Sequence, residues 1–242
     1  MIEGMKNAIV TGGTKGIGLA ITEMLLKEGY FVYATYGSDE TAVQKMQEKL
    51  DAFRNSFSVE KVNQGNIAEV HRFTSQLKGI DIHCIVCNAG TTVRKKTSEL
   101  TDEDWLRMMQ VNVNSHFFII RDLWNEIQPN SRLIFIGSMM AVLPHATSLP
   151  YGVTKSALHA MAQNLVKDFD NTGTTVNVIA PGFVETEWQK NKPIEIRNRI
   201  NDKTAQHRFA TVEEIADTAK YLLHNAFVNG AVIEVSGGYC YK

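Results

Sequence analysis

Strand-like and helix-like segments alternate along almost all of this 242-residue chain. Short apolar runs such as Asn7–Thr11 and Tyr30–Thr35 are followed by segments with helical apolar spacing, the first of them Gly16–Glu28. This alternation is typical of parallel strands joined by helical crossovers. We therefore predict one α/β domain over residues 1–242, with a doubly wound parallel sheet of about seven strands flanked by helices.

Other segments extend the pattern along the chain. Thr101 and Asp104 resemble a capping box at the start of a long helix, Asp102–Glu126. The strand Leu133–Ile136 is apolar enough to be covered on both faces. By contrast, Glu185–Phe209 is polar and is predicted to be irregular. The other predicted helices are Glu40–Ala52, Ala68–Leu77, Tyr151–Phe169 and Val212–Leu223, and the other strands are Phe57–Val62, Ile82–Val86, Thr175–Ile179 and Ala231–Val235.

The charge balance excludes some classes of partner. The chain has 25 lysine and arginine residues against 26 aspartate and glutamate residues, a formal net charge of −1. A nucleic-acid-binding module would need a basic face, so nucleic acid is not expected as a partner. No apolar run approaches the roughly 18–20 residues that span a bilayer, so no membrane partner is expected. No metal site is expected.

Three cysteines, Cys84, Cys87 and Cys240, do not suggest a disulfide framework and favour a reducing, cytoplasmic location. Cys84 and Cys87 have the C-x-x-C spacing of redox motifs, but they lie in the apolar run His83–Cys87, which is predicted to be a strand. Residues three apart on a strand point to opposite faces of the sheet. We interpret them as two buried core cysteines.

The first strand runs into a glycine-rich turn, Thr11–Gly18, and the first helix begins inside it. Glycines let the backbone approach a pyrophosphate closely, and a helix N-terminus supplies free amide groups and a positive dipole end. This order of strand, glycine turn and helix is the context that a dinucleotide-binding turn requires. The alternative is a tight turn without a ligand.

The spacing T-G-x-x-x-G-x-G resembles that of the classical short-chain dehydrogenase/reductase family, and the resemblance covers essentially the whole chain. Cys87–Gly90 resembles the family's N-N-A-G, Pro181–Thr186 its P-G-x-V-x-T, and Gly230–Gly238 its G-x-x-I-x-V-D-G-G. Cys87 and Ser236 depart from those patterns. The resemblance implies a Rossmann-like fold and a nicotinamide-dependent oxidoreductase. It also implies a homotetramer in which the last strand packs against its counterpart in another subunit.

The end of the second strand bears on the choice of dinucleotide. An NAD site carries a carboxylate about 20 residues past the glycines, on the ribose 2′-hydroxyl. Here the segment 34–38 ends the strand without one, and Asp39 is already beyond the tip. Lys15 can offer a positive charge to a 2′-phosphate, with Tyr36 and Ser38 as added hydroxyl donors. We predict NADP(H) in preference to NAD(H); the alternative for Lys15 is a solvated surface lysine.

Tyr151 and Lys155 form the pattern Y-x-x-x-K at the start of a predicted helix. Residues four apart share a helix face, so the ammonium group can lie near the phenol. A neighbouring cation favours the phenolate and lowers the phenol pKa from its usual value of about 10. Ser138 ends the fifth strand, at the edge where open α/β sheets bind ligands. The alternative for the Tyr–Lys pair is an ordinary surface pair.

Asn112 is a polar residue within an apolar stretch of the long predicted helix. A satisfied buried amide is the ordinary interpretation. Asn114 is a second candidate, but Asn112 better matches the family's spacing. The resemblance implies a catalytic tetrad of Asn112, Ser138, Tyr151 and Lys155.

Each member of that tetrad has an implied role. Tyr151 would exchange a proton with the carbonyl oxygen that Ser138 holds. Lys155 would lower the pKa of Tyr151 and bind the nicotinamide ribose, and Asn112 would hold a relay water. The nicotinamide would carry the hydride.

The same resemblance implies the cofactor contacts. Asn66 and Ile67 stand where Asp-Val is usual beside the adenine. The full set of implied cofactor-binding residues is Gly12, Thr14, Lys15, Gly16, Ile17, Gly18, Tyr36, Ser38, Asn66, Ile67, Asn88, Ala89, Gly90, Tyr151, Lys155, Pro181, Gly182, Val184 and Thr186.

A mostly apolar substrate pocket is predicted from Met139, Met140, His145 and Phe183 and from a loop at about 185–210. Within its family the chain most resembles the 3-oxoacyl-[acyl-carrier-protein] reductases, which implies reduction of a 3-oxoacyl thioester in fatty acid biosynthesis. Sugar, steroid and quinone carbonyls or alcohols remain alternative substrates. A non-catalytic NADP-binding sensor remains an alternative function.

An acyl carrier protein is the implied macromolecular partner. Because carrier proteins are acidic, their docking patch should be basic. The segments 124–128 and 167–170, at the ends of two predicted helices, carry no basic cluster. Arg94, Lys95 and Lys96 lie near the expected mouth of the site and would have to compensate.

Overall fold

A single parallel sheet organises the protein, which a computed structural model describes over residues 4–239. The strands are β1 (Lys6–Val10), β2 (Tyr30–Tyr36), β3 (Phe57–Lys61), β4 (Ile82–Cys87), β5 (Ile127–Ile136), β6 (Thr175–Pro181) and β7 (Val232–Val235). They lie in the order β3-β2-β1-β4-β5-β6-β7. The predicted doubly wound, seven-stranded parallel sheet is confirmed.

Helices connect the strands and cover both faces of the sheet. They are α1 (Gly16–Lys27), α2 (Glu40–Lys49), α3 (Ile67–Gln76), α4 (Asp102–Met109), α5 (Ser115–Asp122), α6 (Leu149–Asp168), α7 (Ile194–Lys203) and α8 (Val212–His224). Within residues 4–239, none of them is long and apolar enough to cross a bilayer.

Successive strand residues belong to two different apolar cores. In β1, Ala8 and Val10 pack with residues of α1 and α8, such as Ile21. Ile9, between them, joins the core on the other face, with Phe73 of α3. Alternation of this kind is what period-two side-chain geometry requires of a strand covered on both faces.

Cys84 and Cys87 follow the same rule. Cys84 lies in the α1/α8 core and Cys87 in the opposite one, and both thiols are buried and unbonded. Burial raises the pKa of the Cys84 thiol to about 12, and it raises the pKa of Cys87 as well, so neither is a reactive thiolate. Their predicted placement on opposite faces is confirmed, and Cys240 lies outside the described residues.

The order of the strands reverses at β1, which lies between β2 and β4. From there the chain builds outward to β3 on one side and to β7 on the other. Ligands of open α/β sheets bind at such a switch point, beyond the carboxyl ends of the strands. The glycine turn after β1 and the loop after β4 therefore face the expected crevice.

The predicted helix Asp102–Glu126 is not one regular α-helix, and it ends earlier than predicted. A π-helical turn, Gln110–Asn114, separates α4 from α5, which ends at Asp122. Because a π turn holds one residue more than an α turn, it changes the direction of the side chains that follow. The capping box of Thr101 and Asp104 is confirmed.

The predicted fifth strand is too short, since β5 starts at Ile127 rather than at Leu133. Its register against β4 moves from Ile82↔Ile127 to Cys84↔Arg132, so the segment between bulges out of the ladder. Asn130 has a positive φ of 63° there. Pro129 and Asn130 lie in this bulge.

The segment Glu185–Phe209 is not irregular throughout, because it contains α7. Only Ile200 of that helix is buried, so its apolar periodicity is weak. Ile200 packs with Met139, Phe183 and Phe209 in a third, small apolar cluster. This cluster fixes α7 beside the carboxyl edge of the sheet.

Candidate active site

The glycine turn after β1 brings backbone close to backbone. A Cβ atom added to Gly18 would lie 2.1 Å from the Gly12 carbonyl oxygen, and one added to Gly13 would lie 2.9 Å from Thr22 Oγ1. Gly12 and Gly16 have φ values of 62° and 54°, in the left-handed region that favours glycine. The N-cap of α1, Lys15, supplies no side-chain hydrogen bond to the helix. The first backbone amides of α1 are therefore available to donate hydrogen bonds to a bound anion.

Asn88 ties the end of β4 to this turn. Its Nδ2 donates to the carbonyl oxygens of Thr11 and Gly12, at 2.9 and 3.1 Å. Thr11 Oγ1 in turn accepts from the amides of Asn88 and Ala89, at 2.9 Å each. The two loops that meet at the switch point therefore form one hydrogen-bonded unit.

Lys15, the residue predicted to bind a 2′-phosphate, lines the cleft but is not free. Its Nζ lies 2.6 Å from Asp39 Oδ2 at the start of α2. Tyr36 and Ser38 also line the cleft, and the Tyr36 hydroxyl donates to Glu40 at 2.7 Å. The hydrogen bond from Lys15 holds the pKa of Asp39 below its usual range. A carboxylate thus lies closer to the predicted phosphate site than the sequence suggested.

Three predicted cofactor residues do not line the cleft. Asn66 is the N-cap of α3, where its Oδ1 accepts from Ala68 N at 3.0 Å, and Ile67 is exposed. Thr14 is buried beneath the glycine turn. The wall at this point is formed instead by the segment 62–65, directly after β3. Its position past the end of a predicted strand was the signal that would have found it, since ligands gather there.

Ser138 and Tyr151 both line the cleft. Ser138 follows β5 and is nearly buried, and Tyr151 lies in the first turn of α6. Burial raises the pKa of Tyr151 to about 12, against the lowering influence of the hydrogen bond with Ser138 and the charge of Arg94. The phenol is therefore protonated at neutral pH and can act as a hydrogen-bond donor or an acid.

Lys155 lies one helical turn after Tyr151, as predicted, but its charge is directed elsewhere. Its Nζ donates to the Ile136 carbonyl oxygen at 2.6 Å and lies 5.6 Å from the centre of the Tyr151 ring. Burial lowers the pKa of this ammonium group to about 8. The expected lowering of the Tyr151 pKa by Lys155 is therefore not found: burial raises that pKa, and the opposing influences come from Ser138 and Arg94.

Asn112 lies in the π turn and is fully buried. Its Oδ1 accepts from Thr91 N at 2.8 Å, and its Nδ2 donates to Thr91 O and to Thr154 Oγ1, at 3.0 Å each. The residue fastens the loop after β4 to α6, and it does not line the cleft. Its satisfied amide matches the ordinary interpretation, while the relay role stays a prediction.

The far end of the cleft is mostly apolar. Met139, Met140 and Phe183 line it as predicted. His145 does not: it is exposed, and its Nδ1 lies 3.1 Å from the carbonyl oxygen of the neighbouring Ala146. Trp188 was missed, although its indole lies 6.4 Å from the Tyr151 ring in an edge-on contact. An isolated tryptophan in a polar segment was the available signal.

The remaining predicted cofactor residues surround the same space. Lining residues among them are Gly12, Gly16, Ile17, Gly18, Asn88, Ala89, Gly90, Pro181, Gly182, Val184 and Thr186. The cleft holds about 770 Å³ and runs from the glycine turn to Phe183. A cradle that a Cβ atom would fill, uncapped helix amides and a long cleft together fit a nicotinamide dinucleotide.

Comparison with known proteins agrees with this geometry. Residues 6–196 match the family model described as short chain dehydrogenase. A curated relative, 3-oxoacyl-[acyl-carrier-protein] reductase FabG of Rickettsia felis, is 27% identical over 237 residues, which cover 96% of each chain.

Solved structures share the fold over nearly the whole length. A short-chain dehydrogenase/reductase from Serratia marcescens BCRC 10948 superposes with a TM-score of 0.90 at 28% identity, over 97% of this chain and 98% of that one. BdcA in complex with NADPH superposes with a TM-score of 0.88 at 25% identity, over 97% and 94% of the two chains.

Proposed function

The chain belongs to the short-chain dehydrogenase family, and on that premise we propose that it is an NADP(H)-dependent reductase that converts a ketone to a secondary alcohol. The observation that carries the proposal is that Ser138 and Tyr151, whose phenol is protonated at neutral pH, line the same cleft. Both residues line the cleft together with Met139 and Phe183. A carbonyl oxygen there would meet two hydroxyl donors.

The reaction follows from those donors. NADPH, when bound, supplies the hydride. The Tyr151 hydroxyl gives its proton to the carbonyl oxygen, while Ser138 donates a hydrogen bond to the same oxygen. Tyr151 is left as a phenolate until a proton from solvent restores the phenol, and the Lys155 ammonium group would bind the nicotinamide ribose. Asn112 holds the loop after β4 in place and is proposed to bind a water of this relay.

The preference for NADP(H) rests on Lys15 and on the Tyr36 and Ser38 hydroxyls at the adenosine end of the cleft. The relative solved with NADPH supports the same choice. Asp39 works against it, because its carboxylate must give up or share Lys15 when a 2′-phosphate arrives. We therefore propose a preference rather than strict selection.

A 3-oxoacyl thioester is the candidate substrate, supported by the name of the curated relative, a 3-oxoacyl-[acyl-carrier-protein] reductase. An acyl carrier protein would be the matching partner, with a place in fatty acid biosynthesis. Of the basic residues near the mouth, Lys95 is already paired with Asp104, at 2.5 Å. Carrier docking would therefore have to rely on Arg94 and Lys96, and carbonyls of sugars, steroids or quinones are the alternative substrates.

The test follows NADPH oxidation with acetoacetyl-N-acetylcysteamine, an uncharged 3-oxoacyl thioester, beside NADH. Tyr151→Phe should lower kcat by about 100- to 10,000-fold, the usual contribution of a general acid, while NADPH still binds. Tyr33→Phe removes a hydroxyl outside the cleft and serves as the matched control. Faster turnover with NADH than with NADPH would contradict the proposed role of Lys15 in selecting NADP(H). Binding of NADPH without turnover of any ketone would favour the sensor function.

A homotetramer is proposed for the assembled enzyme. β7 is an edge strand with one side of its ladder open, and Phe227 just before it is 99% exposed. An open edge beside an exposed aromatic ring is costly unless another subunit covers it. The two buried, unbonded thiols support a reducing, cytoplasmic setting.

A further inference from the structure

The substrate end of the cleft carries more positive charge than the reaction explains. Arg94 lines the cleft together with Ser138 and Tyr151. The amide of the next residue, Lys95, donates to the Thr147 carbonyl oxygen at 3.2 Å. The segment therefore lies beside the turn that leads into α6. That contact puts Arg94 on the Tyr151 side of the cleft, away from the glycine turn.

A second cation, Lys192, lies beside this end of the cleft, although it is not one of the lining residues. Lys192 Nζ lies 5.8 Å from the centre of the Phe183 ring, and Phe183 lines the cleft. Burial and the nearby charges of Arg94 and Arg197 lower the pKa of Lys192. Like charges are thus close enough to disfavour one another.

The neighbouring carboxylates are already matched. Arg197 is paired with Glu185 through Nη2 and Oε2 at 2.5 Å, and Lys95 with Asp104 at 2.5 Å. Glu187, which also lines the cleft, lies 3.6 Å from Lys190. Among residues 4–239, neither Arg94 nor Lys192 has a carboxylate within 4.0 Å. Two cations are therefore left without a counter-ion.

We infer that Arg94 and Lys192 recognise an anionic group on the substrate itself, so that the preferred substrate is a ketone bearing a carboxylate near the carbonyl. The inference rests on the proposed function, because it needs the carbonyl at Ser138 and Tyr151. Charge-assisted hydrogen bonds from arginine to a carboxylate are geometrically specific as well as strong. A neutral ketone would leave both cations unpaired.

The experiment compares acetoacetate with ethyl acetoacetate, which lacks the charge, under saturating NADPH. In the unmodified enzyme, kcat/KM should favour the acid. Arg94→Gln and Lys192→Gln should each raise KM for acetoacetate by about tenfold or more and change KM for the ester by less than about twofold. Arg94→Lys should recover part of the loss. Arg199→Gln, an exposed arginine on α7 outside the cleft, is the matched control.

Several outcomes would overturn the inference while leaving the reductase intact. One is an enzyme that prefers the ester, and another is an Arg94→Gln variant that loses acid and ester equally. A third outcome comes from comparing acetoacetyl-coenzyme A with acetoacetyl-N-acetylcysteamine as substrates. If the charge variants impair only the coenzyme A thioester, the recognised anion is the phosphate of a carrier arm.

Failure of the proposed function would look different. In that case neither ketone is reduced, although NADPH binds. Calorimetric titration of the NADPH-loaded protein with acetoacetate then decides the anion site by itself. Binding that Arg94→Gln abolishes and Arg199→Gln preserves supports the inference, and no binding to the unmodified protein overturns it.

Discussion

Burial is the largest influence on both ionisable groups at the floor of the cleft. It raises the pKa of the Tyr151 phenol to about 12 and lowers the pKa of the Lys155 ammonium group to about 8. Each shift disfavours the charged form of its group. The pair therefore holds a firmly protonated acid beside a cation that is close to losing its proton.

A pH dependence follows from these two values. Because Tyr151 stays protonated throughout, the reduction should not lose its acid at any ordinary pH. Lys155 loses its charge as the pH rises through about 8, so kcat/KM for NADPH, which reports on the free enzyme, should fall above that value. Steady-state rates at saturating ketone would show it. A profile that stays flat up to the ordinary lysine pKa of about 10.4 would contradict the prediction.

Gly18 shows how one missing methyl group shapes the cofactor site. A Cβ atom there would lie 2.1 Å from the Gly12 carbonyl oxygen and 2.6 Å from Asn88 Nδ2. Gly18→Ala should therefore force the turn and the β4 loop apart. We expect NADPH affinity to fall by about tenfold or more and stability by about 1–3 kcal/mol, as for other overpacked sites. Calorimetric titration and urea unfolding measure the two effects, and unchanged affinity would refute the role of this contact.

The glycine turn, Ser138, Tyr151 and Lys155 were predictable because each follows from spacing at the end of a predicted strand or the start of a predicted helix. Contacts within the site were not. The Lys15–Asp39 pair, at 2.6 Å, depends on how α2 starts, and the Asn112 contacts depend on a π turn. Neither has a periodic signature in the sequence. Trp188 was missed for the same reason, since its contact with Tyr151 joins the segment after β6 to the first turn of α6.

At the scale of whole elements, helices and strands with a strong apolar stripe were predicted well and those without one were not. α7 buries only Ile200, and β5 begins with a bulge around Asn130. The third apolar cluster determines where α7 packs, and the register shift against β4 determines the shape of β5. Local propensity determines neither. Tertiary packing of this kind cannot be read from periodicity.

The start of α8 offers a test at this scale. Thr211 Oγ1 accepts from Glu214 N at 3.3 Å, and Glu214 Oε2 accepts from Thr211 N at 2.8 Å. Thr211→Ala removes the cap and should lower the free energy of unfolding by about 1 kcal/mol. Thr211→Ser keeps the hydroxyl and should cost far less. Equal unfolding midpoints for Thr211→Ala and the unmodified protein in urea would show that the cap contributes nothing.

At the scale of the whole molecule, the open edge of β7 makes the assembly testable. Light scattering after size-exclusion chromatography should give four chain masses for the unmodified protein. Phe227→Asp replaces the 99% exposed ring beside that edge with a charged side chain and should yield a smaller species. Ile67→Asp, on α3 at the other face of the sheet, should leave the mass unchanged. A monomeric unmodified protein would refute the tetramer.

Because the residues of β4 alternate between two cores, the two cysteines of this strand can report separately on the opening of each core. Cys84 and Cys87 are close in sequence, yet each is sealed beneath helices on a different side of the sheet. A thiol reacts with an alkylating reagent only when the helices above it have moved away. Pulsed alkylation during unfolding, resolved for each cysteine by peptide mass spectrometry, would therefore time the loss of the two helical layers separately. Equal labelling rates would mean that both layers come away together, and unequal rates would show which one leaves first.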